Sequence, residues 1–324
     1  MISKKQTIVF ILGTPYSGST ILGNFLNASQ DAIYLGEVDR LRIFKNYESE
    51  AKQYVTQSSV SLLNSQKDEF WTADFLNELS SLEDNHMYLK ILTRFQEPVI
   101  IDGSKWVSWC RRVQPLLNNF KIKVLLTVKN PFGFFNSYRL ANPGISDHDI
   151  VKFYIDTYLD ATRTCVFYNI PYLVINIENF MTNKNNILQI ICDFVNISFD
   201  DSMLSYWKYK NISLGGNFSG YIPFLSSREK QIEPDDWKKL AAIYKMKEAD
   251  LKEKFYFYIN TKIGDSKNNQ LGQLWMENLS FEDVDLIVSV ENLLSVAFSS
   301  GYNVGDLVRQ HHAYKLKVDH SALS

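Results

Sequence analysis

The sequence predicts an α/β protein: a parallel sheet with helices on both faces, a helical excursion inserted early, and a helical carboxyl-terminal region. Three observations carry this prediction. Short, continuously apolar runs rich in Val, Ile and Leu alternate with segments of helical apolar spacing, as expected of strands buried on both faces. The first run passes straight into a Gly/Pro/Ser loop and then into a helix. A length of 324 residues, with 45% hydrophobic and 22% charged residues, suits one large soluble domain. We assign its core to residues 5–225, the excursion to 38–97 and the extension to 226–324.

The first strand is Thr7 to Leu12, and Gly13-Thr14-Pro15-Tyr16-Ser17-Gly18-Ser19-Thr20 follows as a tight turn into a helix beginning near Ile21. The opening N–H groups of a helix lack partners within it, and the helix dipole adds positive potential, so such a turn suits an anion. The loop fits the Walker A frame at Gly13, Gly18 and Thr20, but Ser19 stands where Lys is required. An NTPase needs that ammonium on its β- and γ-phosphates, whereas a donor with a single phosphate beside its transferable group can be held by backbone donors and hydroxyls. A tight βα turn in another α/β protein fits the same residues.

Ala32 to Leu35 is the next strand and ends at Gly36-Glu37. Residues 38–82 carry helical patterns with frequent aromatics, which serve core packing before anything else. Pro98 to Asp102 is a strand followed by a Gly103-Ser104-Lys105 turn and a helix from about Trp106 to Asn119. Ile122 to Val128 is a further strand, after which Pro131 opens a helix to about Leu140. Asp147 is read as the cap of a long helix ending near Tyr168. Tyr172 to Asn176 is a strand, and Asn185 to Val195 a helix. Leu214 to Gly220 is a glycine-rich connector or lid, and helical segments near 234–257 and 281–299 flank a loop at 265–273. Ligands of such sheets bind beyond the strand carboxyl ends, which brings the turns after Leu12, Leu35, Asp102 and Val128 toward one crevice.

A net charge of −2 offers no electrostatic basis for binding nucleic acid or an anionic membrane. Lys4 and Lys5 precede an apolar run too short for a signal peptide, no stretch approaches a membrane span, and a cytoplasmic location is expected. Cys110, Cys165 and Cys192 have no metal-ligand spacing and read as reduced, buried thiols. The five histidines show no paired ligand spacing, and no metal is expected.

In order, these motifs resemble the sulfotransferase family, in particular bacterial sulfotransferases and the related tyrosylprotein enzymes. The resemblance covers roughly residues 7–220 and implies a P-loop NTPase-like fold and transfer of a sulfuryl group from 3′-phosphoadenosine-5′-phosphosulfate (PAPS). Pro15, Ser17, Gly18, Ser19 and Thr20 match the family's 5′-phosphosulfate loop, with Tyr16 at its basic position. Lys129 and Ser137 keep the spacing of its 3′-phosphate pair, with Lys in place of Arg. Gly36-Glu37 matches the step bearing the catalytic base, and Asp102-Gly103-Ser104-Lys105 the turn whose Lys reaches the transferred group. Gly215-Gly216-Asn217 matches a late cofactor-contacting loop. Arg111, Arg112 and Arg139 are further cations available to the 3′-phosphate, each equally readable as surface charge. The aromatic-rich helical excursion between Glu37 and Pro98 points to an enclosed pocket, so the expected acceptor is the hydroxyl or amine of a small secondary metabolite. Peptide tyrosine is the alternative acceptor, and a P-loop kinase or NTPase-like nucleotide-binding protein the alternative function.

Overall fold

The computed structural model of the chain describes residues 6–42, 70–216, 223–224, 234–243, 247–258 and 270–322. Thr7–Gly13 (β1), Ala32–Gly36 (β2), Val99–Lys105 (β3), Lys121–Val128 (β4) and Tyr172–Asn176 (β5) form one sheet. Its order is β2-β3-β1-β4-β5, and every pairing is parallel. All strand carboxyl ends therefore emerge on the same edge.

The central strand explains why its sequence is apolar throughout rather than alternating. Ile8, Phe10 and Leu12 enter one core while Val9 and Ile11 enter the other. On the first face lie Ala73–Ser80 (α2), Asp84–Leu92 (α3), Val107–Val113 (α4), Pro131–Ala141 (α5) and Asp147–Phe167 (α6). The second face carries Ser19–Asn27 (α1), Ile177–Thr182 (α7), Lys184–Val195 (α8), Pro234–Ile243 (α9) and Glu248–Tyr258 (α10). Gln270–Asn278 (α11), Phe281–Ser289 (α12), Leu293–Ser299 (α13) and Val304–Ala322 (α14) complete the cover of the first face. A fully buried Val, Leu, Ile or Phe contributes about 1.5–3 kcal/mol, so these two layers dominate stability over the surface ion pairs.

Several local expectations are corrected. The Asp102–Lys105 turn is still strand: Phe10 pairs with Asp102 and Leu12 with Lys105, so β3 carries one extra residue as a bulge. The helix expected to reach Asn119 stops at Val113 and tightens into a 3-10 turn at Gln114–Leu116, because Pro115 lacks the N–H that would extend it. Ser146, not Asp147, caps α6, accepting the Asp149 N–H at 3.2 Å. Residues 270–273 of the expected tail loop are helical, and the rest of that loop lies outside the described residues. The tail segment 281–299 is two helices, broken where Asn292 adopts φ 67°. Helix α7, between β5 and α8, had no clear sequence signal. The excursion appears as a 3-10 turn at Val38–Arg42 and as α2 and α3, the last running past residue 82; residues 43–69 lie outside the described set. The three cysteines are free and buried. Among the described residues, no helix is long and apolar enough to cross a membrane.

Candidate functional site

Strand β1 ends at Gly13, where a Cβ would fall 2.4 Å from the Thr127 carbonyl oxygen; only glycine lets the loop leave beside β4. Hydroxyl groups then fix the loop. Tyr158 donates to the Thr127 carbonyl at 3.0 Å and so receives the Thr14 hydroxyl at 3.1 Å. Thr127 donates to the Leu12 carbonyl at 3.1 Å and receives the Ser17 hydroxyl at 2.8 Å. The Ser17 N–H is also engaged, by the Thr14 carbonyl at 3.3 Å. Ser17 thus shapes the loop. Gly18, at φ 81°, starts α1 with no side-chain cap, so the first helical turn presents backbone donors to an anion.

Lys105, at the end of β3, and Lys129, just after β4, follow the two strands that neighbour β1. Lys105 pairs in register with Leu12, and Thr127 with Gly13. Lys105 has φ 69°, a left-handed backbone that turns its side chain away from the strand direction toward Glu37. The Lys105 ammonium contacts Glu37 Oε1, and Arg40 Nε holds Oε2 at 2.6 Å. Glu37 is 3% exposed. Burial pushes its carboxyl up, but Lys105 and Arg40 outweigh burial and leave it below the usual carboxylate range.

On the other side, the Lys129 ammonium donates to Ser137 Oγ at 2.8 Å, and Ser137 donates to the Gly133 carbonyl at 2.9 Å. Asn130 caps α5 by accepting from Phe132 and Gly133 N–H groups, which sets Lys129 at the helix entrance and Ser137 two turns inside. Ser137 is the only hydrogen-bond partner of the Lys129 ammonium among the described residues. Burial pulls that ammonium down, while the nearby Glu178 supports it.

The remaining candidates separate. Tyr16 has φ 65° and is 37% exposed, and its ring meets Tyr138 edge-on at 6.5 Å. Burial, with Tyr138, raises its phenol, so Tyr16 is a neutral donor. Gly215 and Gly216, both at positive φ, follow Leu214, which bridges Gly36 in parallel; they therefore sit one step from Glu37. Asn217 lies outside the described residues. Pro15 is half-buried in the loop. Arg111, Arg112 and Arg139 pair instead with Asp160, Asp84 and Asp283, at 2.7, 2.6 and 2.7 Å.

Sequence reasoning missed Asp39, Arg40 and Glu178. Glu178 accepts the Asn130 N–H at 3.2 Å and meets the Tyr302 hydroxyl, linking the 129–137 turn to the tail. Its position just beyond β5 is the same strand-end signal that picked out Glu37. Among the described residues, no group of His, Cys, Asp or Glu is arranged to hold a metal ion.

The residues present fit a donor with two separated anionic groups. A half-buried ammonium with one hydrogen-bond partner and an uncapped helix start both gain from an anion. Gly18, Ser19 and Thr20 with Lys105 would hold a 5′-phosphosulfate, and Lys129 with Ser137 a 3′-phosphate.

No protein-family model matches the chain, and no curated protein matches it in sequence. Solved structures do match. The sulfotransferase domain from the Synechococcus PCC 7002 olefin synthase superposes with TM-score 0.51 at 15% identity, over 78% of this chain and 96% of that one. The sulfotransferase domain from the curacin biosynthetic pathway superposes with TM-score 0.50 at 16% identity, over 76% of this chain and 99% of that one. The chain has a sulfotransferase-like α/β fold.

Proposed function

We propose that the protein is a PAPS-dependent sulfotransferase acting on a small acceptor with an apolar, ring-bearing body. The observation that carries this reading is the Lys129–Ser137 contact at 2.8 Å beside a Walker-like loop that has Ser19 in place of Lys. A nucleoside triphosphate does not call for a second cation-hydroxyl pair there, whereas a 3′-phosphate does.

PAPS would supply an activated sulfuryl group on a phosphate leaving group. The backbone donors of Gly18, Ser19 and Thr20 would hold its anionic oxygens, and Lys105 would balance charge growing on the leaving oxygen. Glu37 would accept the acceptor's proton. In the resting site two cations weaken Glu37 as a base, but an anion that draws Lys105 away leaves only Arg40 on the carboxylate. Its basicity then rises at the point of use.

The acceptor reading rests on a row of rings. Tyr16, Tyr138, Phe153 and Trp106 follow one another at 6.5, 5.3 and 6.4 Å, all at least partly exposed. The row starts in the anion loop and ends next to Lys105, so it is continuous with the reactive centre. A row of partly exposed rings leading from the loop would suit a flat apolar acceptor. We therefore favour a flat apolar acceptor over peptide tyrosine.

The test incubates the purified protein with PAPS and a panel of phenols, apolar alcohols, amines and a tyrosine peptide, read by mass spectrometry. Calorimetry compares PAPS and its bisphosphate product, PAP, with Mg-ATP. Sulfated product and micromolar PAP binding are expected; tighter binding of Mg-ATP, or no PAP binding, sinks the reading. Tyr16→Ala should raise acceptor KM about tenfold, the worth of one ring contact, with PAP affinity unchanged.

A further inference from the structure

The turn after β2 buries more carboxylates than it pairs with cations. Glu37, Asp39 and Asp102 are 3%, 2% and 0% exposed. Lys105 and Arg40 both serve Glu37, and Arg42, at the end of the turn, pairs with none of the three. Both oxygens of Asp102 are engaged: Oδ1 accepts from the Ser104 N–H at 2.8 Å and from the Ser104 hydroxyl, and Oδ2 accepts from Trp109 Nε1–H at 2.9 Å. Asp39 differs. Its N–H donates to Ser104 Oγ at 3.2 Å, which sets it beside Asp102, yet its Oδ1 is buried with no hydrogen-bond partner. The three carboxylates are not arranged to hold a metal.

Burying an unpaired carboxylate costs several kcal/mol, and taking up a proton avoids that cost. Asp102 has three donors on its carboxylate, and Glu37 has two cations. Asp39 has neither.

We propose that Asp39 is a positioning residue for Glu37: it holds the one proton that the cluster's two cations leave unneutralised, and releasing it to solvent strengthens Glu37 as a base. This rests on Glu37's role in sulfuryl transfer. The environment of Asp39 agrees. Burial, then Asp102 of β3 and Glu37 of its own turn, push its carboxyl up to about 7, against the Ser104 hydroxyl and Arg40. Asp102 is itself raised by burial, and Tyr88 of α3, which faces it, is raised well above the ordinary phenol value and stays neutral. Lys105 reaches the cluster only through Glu37. Below neutrality Glu37 has an uncharged neighbour; above it, a second carboxylate raises Glu37's affinity for a proton.

The experiment measures kcat from about pH 5.5 to about pH 9, a range that brackets the shifted group, for wild type, Asp39→Asn and Asp39→Glu. PAP affinity is followed in parallel by calorimetry. We expect wild-type kcat to rise about three- to tenfold through neutrality, as one like-charge interaction predicts. Asp39→Asn should abolish that rise and keep PAP affinity within about twofold, and Asp39→Glu should restore it. A rise that persists in Asp39→Asn overturns the proposal. Infrared difference spectra between the acid and alkaline ends report the proton without turnover: a protonated-carboxyl band present in wild type and in Glu37→Gln, and absent in Asp39→Asn, is expected. If that band is present but no acceptor is sulfated, the sulfuryl-transfer reading fails and Asp39 keeps its proton. If the band is absent, the assignment to Asp39 fails.

Discussion

Replacing Gly36 with Ala tests how the chain after residue 210 is held against the site. Gly36 has φ 75°, and a Cβ there would fall 2.2 Å from the Leu214 carbonyl oxygen and 2.5 Å from its nitrogen. Both are backbone atoms and cannot rotate aside. The left-handed conformation costs Ala about 1–2 kcal/mol. The clash forces apart the Glu37 N–H to Leu214 carbonyl bond at 2.6 Å and the Leu214 N–H to Leu35 carbonyl bond at 2.8 Å. At about 1 kcal/mol net per hydrogen bond, the total is about 3–4 kcal/mol, a large part of a typical domain's stability. Urea unfolding followed by tryptophan fluorescence should show the unfolding free energy falling by that amount, through a lower midpoint with little change in slope. The matched control is Gly144→Ala, where nothing lies within 4 Å of the new Cβ; its unfolding free energy should stay within about 0.5 kcal/mol of wild type. If Gly36→Ala unfolds within about 1 kcal/mol of wild type, the parallel bridge between Gly36 and Leu214 is not what anchors this segment, and the placement of Gly215 and Gly216 beside Glu37 loses its basis.

Lys129→Met should weaken PAP binding about 10- to 100-fold, the value of a charge-assisted hydrogen bond, while leaving affinity for 5′-AMP nearly unchanged. Its folded-state value lies below the unfolded one because of burial, so wild-type stability should rise with pH up to the ordinary lysine value, and Lys129→Met should lack that rise in alkaline urea titrations. Arg139→Ala removes the two hydrogen bonds to Asp283, at 2.7 and 3.2 Å, and should cost about 1–2 kcal/mol with PAP affinity unaltered; a loss of PAP affinity would instead make Arg139 a phosphate ligand. Asp39 is raised from 3.8 to about 7, so the folded chain keeps a proton that the unfolded chain releases. Stability should therefore fall as pH rises through that window, by at most about 4 kcal/mol, and Asp39→Asn should flatten the slope.

Tyr16 and Ser19 illustrate what was readable locally. The loop's departure from a Walker motif lies in adjacent residues, so it is visible in one dimension, as is the Lys129/Ser137 spacing on a single helix entrance. The end of α4 at Val113 is equally local, since it follows from Pro115 two residues on. The alternation of apolar runs and helical patterns likewise announces a parallel sheet, because burial on both faces imposes apolar character on every position of a strand such as Val9 to Leu12.

Partnership between distant residues is a different matter. Ser17 spends its hydroxyl on Thr127, Arg139 spends its charge on Asp283, and Glu37 is bound by Lys105, contacts that join segments up to 144 residues apart. Ser17 and Arg139 thereby change from candidate ligands to structural supports. Asp39 emerges only when β3 brings Asp102 and Ser104 beside it, since the proton it holds follows from a count of charges in a shared buried volume. The sequence by itself determined which residue types stand at the strand ends, and therefore the architecture and the anion loop. Only the tertiary structure decided which of those groups are already neutralised by a neighbour, because desolvation and ion pairing depend on distance in space rather than on order along the chain.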